Sequence, residues 1–138
     1  MDTYGYVKNA VRKRTVDFAG LGSGLTQRLI LGDRIEVLHW REITLLVRVH
    51  SHSLASGAGT IRVGTLGQSV SLDDANAEFI DPSSFNFVLL DSSTPSTAFI
   101  SAPQTNIYPM FRLVAEGSRT GAGALNATVS VEFSCKDA

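Results

Sequence analysis

Apolar and polar side chains alternate along several stretches of the chain, which is the period of a β-strand that buries one face. In residues 43–50 the side chains of Ile43, Leu45, Val47 and Val49 share one face. Residues 110–116 and 127–134 repeat this pattern. Weaker apolar runs of the same kind occur at 25–31, 35–38, 60–65, 69–72, 79–80, 85–89 and 97–101. Turn signals separate the runs at intervals of roughly 8–12 residues, and no helical period competes with them. The pattern predicts an all-β fold, either an antiparallel β-sandwich or a jelly-roll-like barrel of about eight strands.

The first 24 residues differ from the rest of the chain. Four basic residues fall between positions 8 and 14, and a glycine-rich run occupies positions 20–24. Such a run makes a flexible joint. We therefore expect residues 1–24 to form an extended N-terminal arm or a loosely attached strand, with a short helix at 7–14 as an alternative. Residues 25–138 then form the β domain, which we expect to stay folded when residues 1–20 are deleted.

The composition favours contacts between protein surfaces. At 138 residues the chain has the size of one domain. Charged residues make up 18% of it, which is below the roughly 25% of an average globular domain. The net charge is −1, so we do not expect a general field that attracts nucleic acid. We also expect neither a membrane span nor a signal peptide.

Two histidines are the first candidates for a chemical site. His50 and His52 are two positions apart, so in a regular strand both imidazoles lie on one face and could bind one metal ion. A zinc site needs at least a third ligand, and His39 is the only other histidine. We therefore expect no metal site and no cofactor.

No catalytic motif is readable in the sequence. A serine nucleophile of the hydrolase type lies in a Gly-x-Ser-x-Gly turn between a strand and a helix, and the sequence has no such turn. The acidic stretch at 73–76 lacks the spacing of a calcium-binding loop. We expect a protein that is not an enzyme. The single cysteine, Cys135, cannot form an internal disulfide, and a bond to a neighbouring subunit is left open.

The basic N-terminal segment and one tryptophan are the best candidates for contact with a partner. The basic side chains can bind an acidic protein surface or nucleic acid, and we favour protein. Trp40 can anchor an interface, or stack on a sugar ring in a carbohydrate-binding module. The contact candidates are Lys8, Arg12, Lys13, Arg14, Tyr4, Tyr6 and Trp40.

Three segments carry a family resemblance. Residues 40–49, Trp-Arg-Glu-Ile-Thr-Leu-Leu-Val-Arg-Val, resemble a strand of the small β-sandwich capsid decoration (cement) proteins of tailed bacteriophages. Residues 111–116 and 127–133, on either side of a glycine-rich loop, look like the paired final strands of the same proteins.

The resemblance implies a non-enzymatic virion protein on the capsid exterior, present in the host cytoplasm during assembly. It implies binding to the major capsid protein, stabilisation of the shell, contacts through terminal arms, and a homo-oligomer, with a trimer favoured. The alternatives are a carbohydrate-binding or other ligand-recognition module, and a tail or fibre component.

Overall fold

The computed structural model describes residues 5–32, 35–36, 42–68, 86–103 and 110–136. This part of the chain contains nine β-strands and no helix that could cross a membrane. The strands are β1 (Gly5–Asp17), β2 (Thr26–Ile30), β3 (Ile35–Glu36), β4 (Glu42–Leu54), β5 (Gly59–Gln68), β6 (Asn86–Leu90), β7 (Ala98–Pro103), β8 (Met110–Arg119) and β9 (Leu125–Lys136). The predicted all-β fold is confirmed, although the predicted runs at 69–72 and 79–80 lie outside the described residues.

The strands form two antiparallel sheets. The four-stranded sheet has the order β1-β9-β4-β7, and the five-stranded sheet has the order β2-β8-β5-β6 with β3 also paired to β8. The strand pairs β1/β2, β4/β5, β6/β7 and β8/β9 are each consecutive in the chain but divided between the two sheets. A double sheet with this crossing order is a jelly roll, the second of the two predicted architectures.

The core lies between the two sheets and is built from the inward positions of the alternation. On β4, Leu45, Val47 and Val49 are at most 1% exposed, as the two-residue period predicts. The neighbouring strand β9 and the facing strands β5, β6 and β8 complete the core. Their contributions are Val129, Val131 and Phe133 from β9, and Ile61, Val63, Val88, Leu90, Leu113 and Ala115 from the facing sheet. The intervening side chains point outward, so their chemistry decides what each sheet can bind.

Residues 5–17 form a strand of the sandwich. This corrects the predicted arm and the predicted helix, and agrees with the alternative of a strand, although the strand is not loosely attached. β1 pairs with β9 along its whole length, and Val16 and Phe18 are each only 1% exposed. The predicted helix at 7–14 is wrong, and the described part of segment 1–24 belongs to the sandwich. The strand was hard to recognise because its register against β9 shifts twice, and each shift resets which side chains face the core.

Three connections meet at one end of the sandwich and are tied together by hydrogen bonds to main-chain atoms. The backbone N–H of Ala55, after β4, donates to the carbonyl oxygen of Ala124, before β9, at 3.0 Å. The side chain of Arg119, at the end of β8, donates to carbonyl oxygens of the β1–β2 and β8–β9 connections. The Phe18 ring packs so closely on Gly117 that an added Cβ would lie 2.4 Å from it. Hydrogen bonds to main-chain atoms therefore hold the three connections at this end in fixed positions relative to one another.

Candidate interaction face on the four-stranded sheet

The outer face of the four-stranded sheet is organised around Ser130 on β9. On one side, β1 bulges so that Arg12 and Lys13 together stand opposite Ser130, and Lys13 adopts a left-handed φ of 30°. On the other side, His50 is an extra residue in β4. The Ser130 hydroxyl oxygen accepts a hydrogen bond from the Lys13 backbone N–H at 2.9 Å and lies 2.7 Å from His50 Nε2. Bulges re-aim side chains next to binding sites, and here two bulges are fixed to one hydroxyl group.

A stacked arginine and phenylalanine continue this row across the sheet. Arg48 points outward because Val47 and Val49 on either side of it face the core. It stands opposite Phe99 on β7, and its guanidinium carbon lies 5.6 Å from the centre of the Phe99 ring. Phe99 is 55% exposed. Within the described residues the Arg48 guanidinium forms no ion pair, so its N–H groups can bind a ligand.

These side chains border a shallow depression of about 410 Å³. Its lining residues in the described part of the chain are Arg48, Val49, His50, Thr97, Ala98 and Phe99, and none of them is a carboxylate. On β1, the bulge residues Arg12 and Lys13 are exposed opposite Ser130. The acidic side chains described on this face are the half-buried Glu132 on β9 and the exposed Asp17 at the end of β1. The cation beside the exposed Phe99 ring is therefore Arg48, and the cations Arg12 and Lys13 lie on β1 across β9 from it.

The five-stranded sheet has a charged row of its own, but its charges are already paired. Glu116 on β8 is 5% exposed. Its Oε2 lies 2.6 Å from Arg28 Nε on β2, and its Oε1 lies 3.4 Å from Arg62 Nη1 on β5. The Arg62 guanidinium also stacks 4.8 Å from the centre of the Phe87 ring. Because one buried carboxylate is shared by two arginines, this row links three strands and is the weaker candidate for binding a partner.

His50 and His52 do not share a face, which corrects the geometry expected from the sequence. The extra residue in β4 resets the alternation, so His50 lies on the outer face while His52 is paired with the buried Ala127. His52 Nε2 lies 2.6 Å from the carbonyl oxygen of Thr94 in the β6–β7 connection. The described part of the chain contains no group of three side chains that could hold a metal ion.

Three of the predicted contact residues are described in full. Arg12, Lys13 and Arg14 are exposed on β1, and Arg14 Nη1 donates to the carbonyl oxygen of Ile30 at 3.4 Å. Lys8 and Tyr6 belong to β1, but nothing is described of their side chains or of that of Cys135. Tyr4 and Trp40 lie outside the described residues. The contact role of all seven stays a prediction.

Sequence reasoning missed the group formed by Arg48, Phe99 and Ser130. The alternation in β4 places Arg48 on the polar face, but only the pairing of β4 with β7 and β9 brings the other two beside it. The run Ala98-Phe99-Ile100 has no alternation that assigns Phe99 a face, so the sequence alone could not place its ring on the outer surface.

One comparison with known proteins, at a TM-score of 0.56, supports the fold. No protein-family model matches the sequence, and no curated protein has a significantly similar one. A match to the structure of infectious bursal disease virus Gx strain has a TM-score of 0.56 and 12% identity, and covers 97% of this chain and 32% of the other. The chain thus spans about a third of the viral chain, and at this identity the likeness shows the fold alone. A match to the crystal structure of dimeric latent PorU from Porphyromonas gingivalis has a TM-score of 0.43 and 10% identity, with 99% of this chain and 13% of the other covered.

Proposed function

We propose that this chain is a virion structural protein that binds the outer surface of a bacteriophage capsid and stabilises the shell without catalysing a reaction. The observation that carries the proposal is the jelly-roll strand order, which extends through the described part of the chain. Jelly rolls are frequent among viral capsid domains, although they also occur in lectins and cupins. The likeness to a chain of a virus structure and the resemblance to decoration proteins favour the first of these classes.

The physical properties of the domain suit this role. Its end connections are hydrogen-bonded to one another, so little conformational entropy is lost when a surface docks. Copies that bind a symmetric shell as oligomers gain avidity, because each further contact is effectively intramolecular. A homo-oligomer, with a trimer favoured, is therefore part of the proposal, with the major capsid protein as the partner.

The test uses capsids assembled without this protein from the major capsid protein of the same genome. We expect the purified chain to co-sediment with these capsids at a fixed stoichiometry and to raise the temperature at which they disrupt. The same chain unfolded by heating and left unfolded serves as the control for non-specific adsorption. Absence of binding, or binding that leaves the disruption temperature unchanged, would contradict the proposal.

The carbohydrate-binding alternative depended on Trp40, which lies outside the described residues. It stays a prediction, and a glycan array separates it from the capsid role. Glycan binding that is lost in Trp40→Ala, with the melting temperature unchanged, would favour a recognition module.

A further inference from the structure

We propose that the outer face of the four-stranded sheet binds an acidic side chain, Asp or Glu, from an extended segment of a neighbouring protein. Arg48 binds the carboxylate, and Phe99 packs against the apolar side chains beside it. This inference depends on the proposed function only for the identity of the neighbour.

The chemistry of Arg48 indicates the carboxylate. A guanidinium that stacks on an aromatic ring keeps its N–H groups in its own plane, where they match the two oxygens of a carboxylate. The Phe99 ring, 5.6 Å from the Arg48 guanidinium carbon, holds the guanidinium against the sheet. This arrangement reduces the rotamer entropy that the arginine loses on binding.

The charge around the depression selects an acidic partner. None of its described lining residues is a carboxylate, and two exposed cationic side chains, Arg12 and Lys13, stand opposite Ser130 on β1, across β9 from it. The acidic groups described on this face are the half-buried Glu132 on β9 and Asp17 at the end of β1, opposite Asn126. A partner with a negative charge therefore meets complementary potential, which speeds association and disfavours cationic partners.

The exposed ring favours a protein segment over nucleic acid. Phe99, at 55% exposed, is a large apolar surface beside the cation, and interfaces between proteins are enriched in aromatic and arginine side chains. The net charge of −1 over the chain works against binding to a phosphate backbone.

The backbone under this face is preorganised. The Ser130 hydroxyl accepts from the Lys13 N–H and lies within hydrogen-bond distance of His50, so the bulges on β1 and β4 are held to the central strand. The side chains that border the depression are consequently presented without prior rearrangement of the sheet.

The experiment titrates the full chain, isotopically labelled for NMR, with the blocked peptide acetyl-Thr-Val-Glu-Val-Thr-amide. We expect the amide resonances of Arg48, His50, Phe99 and Ser130 to shift with millimolar affinity. The peptide with Gln in place of Glu should bind about tenfold more weakly, because a charge-assisted hydrogen bond becomes a neutral one.

Substitutions locate the site. Arg48→Gln should weaken binding of the Glu peptide about tenfold, Arg48→Lys should weaken it less, and Phe99→Ala should also reduce it. The matched controls are Arg28→Gln on the other sheet and Leu25→Ala, which removes a side chain that is 58% exposed; both should bind like the wild type. Thermal melting of each variant confirms that it is folded.

Three results would overturn the inference: equal binding of the Glu and Gln peptides, shifts confined to other surfaces, or a preference of this face for oligodeoxythymidylate or a glycan.

A capsid-binding assay separates this inference from the proposed capsid role. If Arg48→Gln binds capsids like the wild type, the face is wrong and the capsid role stands. If the wild-type chain binds the Glu peptide but no capsid, the face stands and the capsid role is wrong.

Discussion

Arg119 is a buried cation that is bound by carbonyl groups of the main chain. It is 6% exposed, and its Nη atoms donate to the carbonyl oxygens of Gly121 at 2.8 Å, Gly123 at 3.0 Å and Phe18 at 3.1 Å. A planar guanidinium presents donors in fixed directions and can satisfy several acceptors at once. Arg119 therefore joins the β1–β2 connection to the β8–β9 connection.

Replacing this side chain tests its contribution to stability. Arg119→Met should lower the free energy of unfolding by about 2–4 kcal/mol, because it removes charge-assisted hydrogen bonds and leaves carbonyl oxygens without their donor. Arg119→Lys should recover part of the loss. Urea denaturation followed by circular dichroism measures both variants, and a Met variant as stable as the wild type would contradict this role.

Asp91 holds the connection between β6 and β7. Its Oδ1 accepts hydrogen bonds from the hydroxyl and the backbone N–H of Ser93. These bonds hold the pKa of Asp91 below its ordinary value of 3.8. Because the folded-state pKa is the lower one, the carboxylate stabilises the fold above pH 3.8, and the contribution is lost as the pH falls through the folded-state value.

An isosteric substitution isolates this charge. In Asp91→Asn the amide keeps one oxygen acceptor for the Ser93 donors but carries no negative charge. We expect this variant to unfold at lower urea concentration than the wild type at pH 7, with a difference that shrinks as the pH falls below 3.8, because protonation removes the contribution of the wild-type carboxylate. A difference that stays the same as the pH falls would show that the charge has no role.

The structural role of Asp91 can be predicted from the sequence, whereas the structural role of Arg119 cannot. Asp followed by Ser, Ser and Thr is a turn signal with a known mechanism, since the aspartate side chain binds backbone N–H groups two residues on. Arg119 occupies an inward position of the alternation in β8, together with Leu113 and Ala115. A buried cation at such a position is explained only by the carbonyl oxygens that accept its hydrogen bonds, and the sequence does not show which carbonyl groups these are.

At the scale of the elements, β1 is a structural strand. Val11, Val16 and Phe18 are buried in the core, and full burial of each such side chain is worth about 1.5–3 kcal/mol. Deleting residues 1–20 should therefore remove a large part of the roughly 5–15 kcal/mol that keeps a domain of this kind folded. We expect the truncated chain to be unfolded, or to melt far below the wild type, when followed by circular dichroism.

A variant that keeps β1 but removes its exposed charges separates the role of β1 in stability from its predicted role in binding a partner. The triple variant Arg12→Gln, Lys13→Gln and Arg14→Gln replaces three exposed side chains. Its melting temperature should change little, whereas capsid binding that needs their charge should be lost in the co-sedimentation assay.

For the deletion of residues 1–20, the opposite outcome is a truncated chain that melts like the wild type. That result would show that the segment is a detachable arm.

The strands were predictable, and their irregularities were not. The alternation in residues 43–50 identified β4, because its core positions repeat every second residue. The bulge at His50 then altered the face of His52, and no local signal marks it, since the extra residue is defined only by its register against β9. The bulges in β1 hid that strand for the same reason.

At the scale of the whole molecule, the sequence predicted the class of fold but not the strand order. Short amphipathic runs with turn signals between them indicate an antiparallel sandwich or barrel whose strands bury one face in a shared core. Which strands become neighbours depends on packing between distant residues, as in the pairing of Arg48 with both Phe99 and Ser130. The interaction face is a product of that pairing, so it could not be assembled from the sequence.

The strand order also affects how the protein is made. Lys13 and Ser130 are hydrogen-bonded neighbours in the sheet, although they are 117 residues apart in the chain. A ribosome adds roughly 5–20 residues per second, so β1 waits on the order of 6–23 seconds for the strand beside it. During this time its backbone edges are open to pairing with other nascent chains, and the basic side chains between positions 8 and 14 disfavour such pairing. The basic side chains of β1 therefore act against edge-to-edge pairing of the newly made polypeptide during the time before β9 is available.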